Sequence, residues 1–230
     1  MTMCKKIILT TYDGVSIVGD FYESDKKNSK SILLLHMMPA TRDSFTKFAN
    51  KLKNEGFSAF AIDLRGHGDS IRQVIGGREK NLNFKNFSDK EHQQSINDVR
   101  KAIEFLKKIS TEIFLIGASI GANLALWSLN YDKQLKGALL LSPGLNYRGV
   151  KTLSLAQNLN KGQKIFFVAS RDDICGPGES ADTTARFLYN AVPRNIKKEI
   201  KIFDKAGHGT TIFEREPEFM DNVILWLKNR

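Results

Sequence analysis

Hydrophobic and polar positions along the chain fall into short runs whose period keeps switching between strand and helix. Residues 5–11 and 15–22 predict two strands around Asp13-Gly14, a dipeptide that favours a tight hairpin turn. A polar turn spans Asp25 to Lys30, and Ser31-Ile32-Leu33-Leu34-Leu35 is then continuously apolar, as a central strand buried on both faces requires. Asp43 starts a helix in which Phe45, Phe48, Ala49 and Leu52 recur at helical spacing until Gly56. Phe57 to Ile62 is the next buried strand, and residues 71–87, polar with Gly76-Gly77 and several asparagines, predict a mobile loop. A long helix is predicted from Ser88 to about Lys108, with Ile96, Val99, Ile103 and Leu106 on one face. Ile113 to Ile116 is a strand and Ala122 to Trp127 a helix. Further strands are predicted at Gly137–Leu141, Lys164–Ala169 and Glu199–Phe203. Helices are predicted near 151–159, over 180–190, and at the end, where Phe219, Val223 and Trp226 share a face.

Strands alternating with helices predict an α/β fold: a mostly parallel sheet with helices on both faces and an antiparallel start from the hairpin. At 230 residues, without repeats, low-complexity segments or a linker, the chain is expected to form one domain over 1–230. In such sheets ligands bind at the carboxyl ends of the strands. His36, Asp63, Ser119 and Ser142 all stand at such ends.

Composition narrows the function classes. No stretch approaches 18 apolar residues, so no membrane insertion is expected. The three apolar residues after Lys5-Lys6 are too few for a secretory signal, which predicts a cytoplasmic protein. Cys4 and Cys175 have no metal spacing and are expected to be free thiols. The net charge of +10 comes from basic residues spread beside acids, with no aromatic-interleaved basic stripe. That is a solvated surface, so no nucleic-acid partner is expected, although the charge biases the chain toward anionic substrates. A homodimer through an exposed final strand or helix stays open.

The chemistry centres on Gly117-Ala118-Ser119-Ile120-Gly121, set between an apolar strand and a helix. A serine at so sharp a turn is exposed by a strained backbone, and a Cβ at either flanking glycine would crowd neighbouring backbone. A serine hydroxyl needs a general base, and the base needs an acid to orient it. Of the four histidines, His36 ends an early strand in a structural hydrogen-bonding role, and His67 lies in a glycine-rich loop. His92 stands solvated on a polar helix start. His208 follows the last strand, which makes it the candidate base. Ser170-Arg171-Asp172-Asp173-Ile174 offers two carboxylates after the preceding strand. An acid, one residue, then an apolar anchor favours Asp172, with Asp173 as the alternative. Asp63 is expected to tie down its own loop. The oxyanion of a tetrahedral intermediate needs two N–H donors. One is expected from Ile120 and the other from the loop after Leu35, with Met38 favoured over Met37. No metal or cofactor is implied; the expected partner is a small-molecule ester.

These residues resemble the α/β-hydrolase superfamily of serine hydrolases over essentially the whole chain. The strand ending in His36-Met37-Met38-Pro39, the Asp63-x-Arg65-Gly66-x-Gly68-x-Ser70 loop, the serine elbow and the order Ser, Asp, His carry the resemblance. It implies an α/β-hydrolase fold with Ser119 as nucleophile, Asp172 as acid and His208 as base. It also implies oxyanion donors at Met38 and Ile120. The family often has His-Gly where this chain has His36-Met37. Only about twenty residues separate Ser142 from Lys164, too few for the lid that many members insert there. The resemblance is therefore to small, lidless or minimally lidded esterases acting on small or medium carboxylic esters through an acyl-enzyme. Thioesterases, peptidases and other acyl hydrolases share the same triad, and a non-catalytic binding protein can share the fold.

Overall fold

The computed structural model describes residues 4–26, 30–176 and 179–229. Eight strands form one sheet: β1 (Lys5–Thr10), β2 (Ser16–Tyr22), β3 (Ser31–Leu35), β4 (Ser58–Ile62), β5 (Ile113–Ala118), β6 (Gly137–Leu141), β7 (Lys164–Ser170) and β8 (Lys197–Phe203). Their order is β1-β2-β4-β3-β5-β6-β7-β8, antiparallel at β1-β2-β4 and parallel from β4 to β8. The expected α/β-hydrolase architecture is therefore present.

Strands β3 to β7 are buried along their whole length, which explains why they appear in sequence as continuous apolar runs. Successive residues still alternate between faces. Leu33 and Leu35 join one core cluster with helices α3 (Ser95–Lys107), α4 (Ile120–Tyr131), α5 (Leu153–Gln157) and α6 (Ala181–Ala191). Ile32 and Leu34 join the other, with α1 (Thr46–Asn54) and the closing helices α7 (Thr211–Arg215) and α8 (Phe219–Lys228). The C-terminal carbonyls of α8 are held from the far edge of the sheet: Lys30 Nζ donates to Leu227 O at 2.9 Å, and buried Lys164 Nζ donates to Trp226 O and Asn229 O. Both cations complement the negative end of the helix dipole.

The register brings the strand ends into line. Leu35 stands opposite Ile62 on one side and Gly117 on the other, Ala118 opposite Leu141, Leu141 opposite Val168, and Ser170 opposite Phe203. His36, Asp63, Ser119, Ser142 and the residues after β7 and β8 therefore share one edge.

Two expectations are corrected. The stretch expected as a mobile loop over 71–87 is ordered: Arg72–Ile75 pairs with Arg78–Asn81, and Phe84–Asn86 forms a turn of 3-10 helix. This hairpin extends the first one, with Val74 N–H donating to Gly14 O at 2.9 Å. The long helix expected from Ser88 is two helices, α2 (Asp89–Gln93) and α3, joined at Gln94. Ser88 caps α2 in a reciprocal capping box with Glu91, and His92, expected to be solvated, is buried against Phe87. Cys4 is an exposed free thiol. The Cys175 side chain and the centre of the turn expected over 25–30 lie outside the described residues. Among the described residues no helix is long and apolar enough to cross a membrane.

Candidate active site

Ser119 sits between β5 and α4 at φ 54° and ψ −118°, a conformation that a non-glycine residue adopts only when its surroundings enforce it. The surroundings do so on both sides. Ser119 N–H donates to Leu141 O at 2.9 Å, and Ser119 O accepts from Ala122 N–H at 2.9 Å, opening the helix. A Cβ on Gly117 would collide with the Gly121 carbonyl, and one on Gly121 would collide with the carbonyls of Leu35 and His36. The two glycines let α4 start directly against β3 and β5. Ser119 is 8% exposed at the first turn of α4, and the N–H of Ile120 is the first of that helix.

His208, on the loop between β8 and α7, is hydrogen-bonded through Nδ1 to both oxygens of Asp173, at 2.9 Å to Oδ1 and 2.8 Å to Oδ2. The expectation of Asp172 as the partner of His208 is thus corrected to Asp173. The reason is the turn that ends β7. Asp173 N–H donates to Ser170 O at 3.3 Å, so the chain folds back and returns Asp173 to the sheet edge, where it is 6% exposed. Asp172, one residue earlier, faces outward. Its Oδ1 accepts from Ser170 Oγ and from Gly207 N–H (3.0 Å), and its Oδ2 pairs with Arg215 at 3.1 Å. Those bonds hold the Asp172 carboxyl below its ordinary pKa. Ile174, expected as an apolar anchor, is 68% exposed and belongs to neither core cluster. Asp172 therefore braces the backbone beside His208 without touching its ring.

The loop after β3 is ordered by His36. Leu64 N–H can only donate, so His36 Nε2 accepts from it (3.0 Å); the ring proton lies on Nδ1 and donates to Met37 O at 2.8 Å. Across the trans peptide the Met37 carbonyl and the Met38 N–H point in opposite directions. The Met38 N–H thus faces away from the His36 ring. Met37 is used differently: its side chain fills the space beneath Gly209, where a Cβ would meet its sulfur at 2.5 Å. Burial pushes His36 down to about 3, which keeps the ring neutral. The His67 ring lies against His36 with centroids 4.9 Å apart and stacks on Phe84 at 3.9 Å.

The motif Asp63-x-Arg65-Gly66-x-Gly68-x-Ser70 is a charge-braced turn. Buried Asp63 accepts from the N–H groups of Arg42 (2.8 Å) and Asp69 (2.9 Å) and pairs with the Arg42 guanidinium. A Cβ on Gly68 would overlap the Asp63 carboxylate. Asp63 thus ties down its own loop, as expected. Arg65 binds Asp98 on α3 through Nε (2.9 Å) and Nη2 (2.7 Å), and Asp13 through Nη1 (2.6 Å).

The short connection after β6 adds a rim. Asn146–Tyr147 pairs with Val150–Lys151, and buried Asn123 on α4 holds both sides of this hairpin. Its Nδ2 donates to Val150 O at 2.9 Å and its Oδ1 accepts from Gly144 N–H at 3.1 Å. Gln93 of α2 reaches Arg148 O at 3.2 Å. Segments that follow β4 and β6 therefore meet on the α4 side of the two strands between them. Among the described residues, no group of three or more His, Cys, Asp or Glu side chains converges as a metal site would.

A serine at a strained strand-to-helix turn, a carboxylate-held imidazole and an ordered loop after β3 share one sheet edge, an arrangement from which acyl transfer can be built. The family model described as serine aminopeptidase, S33 matches residues 26–166. The chain belongs to this family of hydrolases. Within the S33 family match lie the β3 loop, the Asp63 turn and Ser119; Asp173 and His208 lie beyond its end. A curated relative, protein phosphatase methylesterase 1 of Candida albicans, is 30% identical over 125 residues. Those residues are 53% of this chain and 31% of that protein, so the match spans about a third of the relative's length. Solved structures match the fold throughout. The esterase Pf2001 of Pyrococcus furiosus has a TM-score of 0.77 at 20% identity, covering 99% of this S33-family chain and 92% of its own. The esterase EaEST of Exiguobacterium antarcticum has a TM-score of 0.75 at 15% identity, covering 98% and 100%.

Proposed function

We propose that the chain is a serine hydrolase that cleaves small or medium carboxylic esters through an acyl-enzyme on Ser119. The single observation that carries this reading is the buried Asp173 carboxylate on His208 Nδ1, at 2.8 and 2.9 Å, at the same sheet edge as the Ser119 elbow. With Nδ1–H committed to Asp173, Nε2 is the basic nitrogen and takes the Ser119 proton as Oγ attacks the ester carbonyl. Asp173 stabilises the imidazolium that results. The oxyanion is met by the N–H groups of Ile120, at the start of α4, and Met38, which His36 orients. His208 then protonates the departing alcohol and activates the water that releases the acid.

The experiment is hydrolysis of chromogenic esters from acetyl to long acyl chains by the wild type and by Ser119→Ala. Short-chain turnover that disappears in the variant supports the reading. Turnover that survives Ser119→Ala overturns it. Wild-type protein that hydrolyses no ester but is labelled by a fluorophosphonate at Ser119 would place the activity with thioesters or peptides. The similarity to a methylesterase favours a second reading, in which the ester is a methyl ester on a peptide or protein carboxyl group. Methyl esters of acidic and C-terminal peptides, added to the same series, separate the two.

A further inference from the structure

Four adjacent strands, β5 to β8, lead in order to Ser119, Ser142, Asp173 and His208. Three of these have roles above; Ser142 has none. It is fully buried and held at φ 49°, a strained backbone for a residue with a Cβ. Its N–H is fixed by Val168 O of β7 at 2.8 Å. Its hydroxyl donates to Asp173 Oδ2 at 2.7 Å and accepts from Gly209 N–H at 3.0 Å. The direction is not free: the amide can only donate and an ionised carboxylate can only accept, so the hydroxyl proton lies toward Asp173.

These bonds close a ring. Asp173 accepts from His208 Nδ1, His208 is joined covalently to Gly209, Gly209 N–H donates to Ser142, and Ser142 donates back to Asp173. Building on the serine-hydrolase reading, we infer that Ser142 is a positioning residue that locks Asp173 and the His208 loop into one unit. It fixes the carboxylate in rotation by engaging Oδ2, and it fixes the imidazole by holding the backbone one residue beyond it. On the other side, Asp172 holds Gly207 N–H, so the backbone is tethered both before and after His208. Strain at Ser142 is consistent with this role, because the left-handed backbone coincides with a side chain that reaches a strand neighbour and the His208 loop together.

The test separates positioning from folding by using variants whose stability and activity should rank differently. Ser142→Gly relieves the positive φ but removes the hydroxyl; Ser142→Ala removes the hydroxyl and keeps the strain; Ser142→Thr keeps the hydroxyl and adds β-branching strain. Thermal melting should rank Gly above Thr. Activity should rank the other way, with Thr above both Gly and Ala. In Ala and Gly, kcat per site titrated with a fluorophosphonate should fall about 10- to 100-fold, the effect of losing one hydrogen bond to a charged group. KM should change by less than about 3-fold. The low-field proton resonance of the Asp173–His208 bond should shift or broaden in both. Activity that follows stability across the series, or kcat per site retained in Ala and Gly, would overturn the inference. If Thr does not fold, the Ala and Gly pair decides alone. Wild-type protein without ester turnover would sink the esterase reading separately. The resonance would still judge Ser142, and an unmoved signal in folded Ser142→Ala would overturn its role.

Discussion

Asp173→Asn set against Asp172→Asn tests the site most directly, because the two carboxylates are neighbours in sequence and differ only in what they touch. Asp173 is buried, with both oxygens on His208 Nδ1 and Oδ2 also on Ser142. An asparagine there is isosteric but uncharged. The imidazolium formed during attack loses a counter-charge worth about 4 kcal/mol at a separation near 4 Å and an effective dielectric near 20, about 10³-fold in rate. If the amide turns its NH₂ toward Nδ1, the ring is also pushed into the tautomer that cannot take the Ser119 proton. Asp173→Asn should therefore lower kcat by about 10³- to 10⁴-fold. Asp172→Asn keeps an oxygen for Gly207 N–H and loses an exposed ion pair with Arg215. Such a pair is worth about 0–1 kcal/mol, so kcat should stay within about 5-fold of wild type. The assay is steady-state hydrolysis of a short-chain chromogenic ester, normalised to sites titrated with a fluorophosphonate. A dead Asp172→Asn beside an active Asp173→Asn would refute the assignment and the turn geometry behind it.

Ser119→Ala should reduce turnover by about 10³-fold or more, measured on the same ester. Burial pushes His36 to about 3 and His67 to about 4, so the unfolded chain takes up protons below about pH 6.5 that the native state refuses. Stability is then complete above that pH and falls toward pH 4, by about 2 kcal/mol for each histidine at pH 5. Urea midpoints at pH 7 and pH 5 should show a smaller acid loss in His67→Phe than in wild type, and equal losses would contradict this. Asn123→Ala leaves Val150 O and Gly144 N–H without their partner. It should cost about 2 kcal/mol or more and speed amide hydrogen exchange over residues 144–151; unchanged exchange there would show that Asn123 does not hold the hairpin.

Much of the fold was legible because burial on both faces leaves a direct mark. Five consecutive parallel strands, β3 to β7, have no exposed position, and each carries at least four consecutive apolar residues. What the pattern missed is held together by polar contacts. Arg72–Ile75 and Arg78–Asn81 carry mostly exposed side chains and are ordered by backbone pairing with each other and with Gly14. Hydrophobic periodicity does not register such a hairpin, because Val74 and Ile75 stay exposed; its signal is the Gly76-Gly77 turn between Arg72–Ile75 and Arg78–Asn81. A Ser88-x-x-Glu91 capping box marks the start of α2; it fixes where a helix starts but not how far it runs, and the break at Gln94 carries no side-chain cap of its own.

In the candidate site, the placement of Ser119 and His208 at one sheet edge was legible because each follows a strand in its expected sequence context. The choice between Asp172 and Asp173 was not, because it depends on how many residues the chain spends turning. The inference from Ile174 failed for a physical reason: an apolar residue locates its neighbours only if it is buried, and this one is exposed. The better indicator stood on another strand. Ser142 ends β6, directly beside β7, and a buried hydroxyl there needs an acceptor. Asp173 is the carboxylate that the turn brings back to the sheet edge, within 2.7 Å of that hydroxyl, while Asp172 remains on the outside of the turn. The carboxylate that meets His208 is thus selected by its strand neighbour and not by its sequence neighbours, and a pairwise reading along the chain cannot supply that contact until the sheet order is known. The same reasoning makes Ser142→Ala more informative than a second substitution at Asp173. It leaves the Asp173 carboxylate in place and removes the hydroxyl that joins Asp173 Oδ2 to Gly209 N–H.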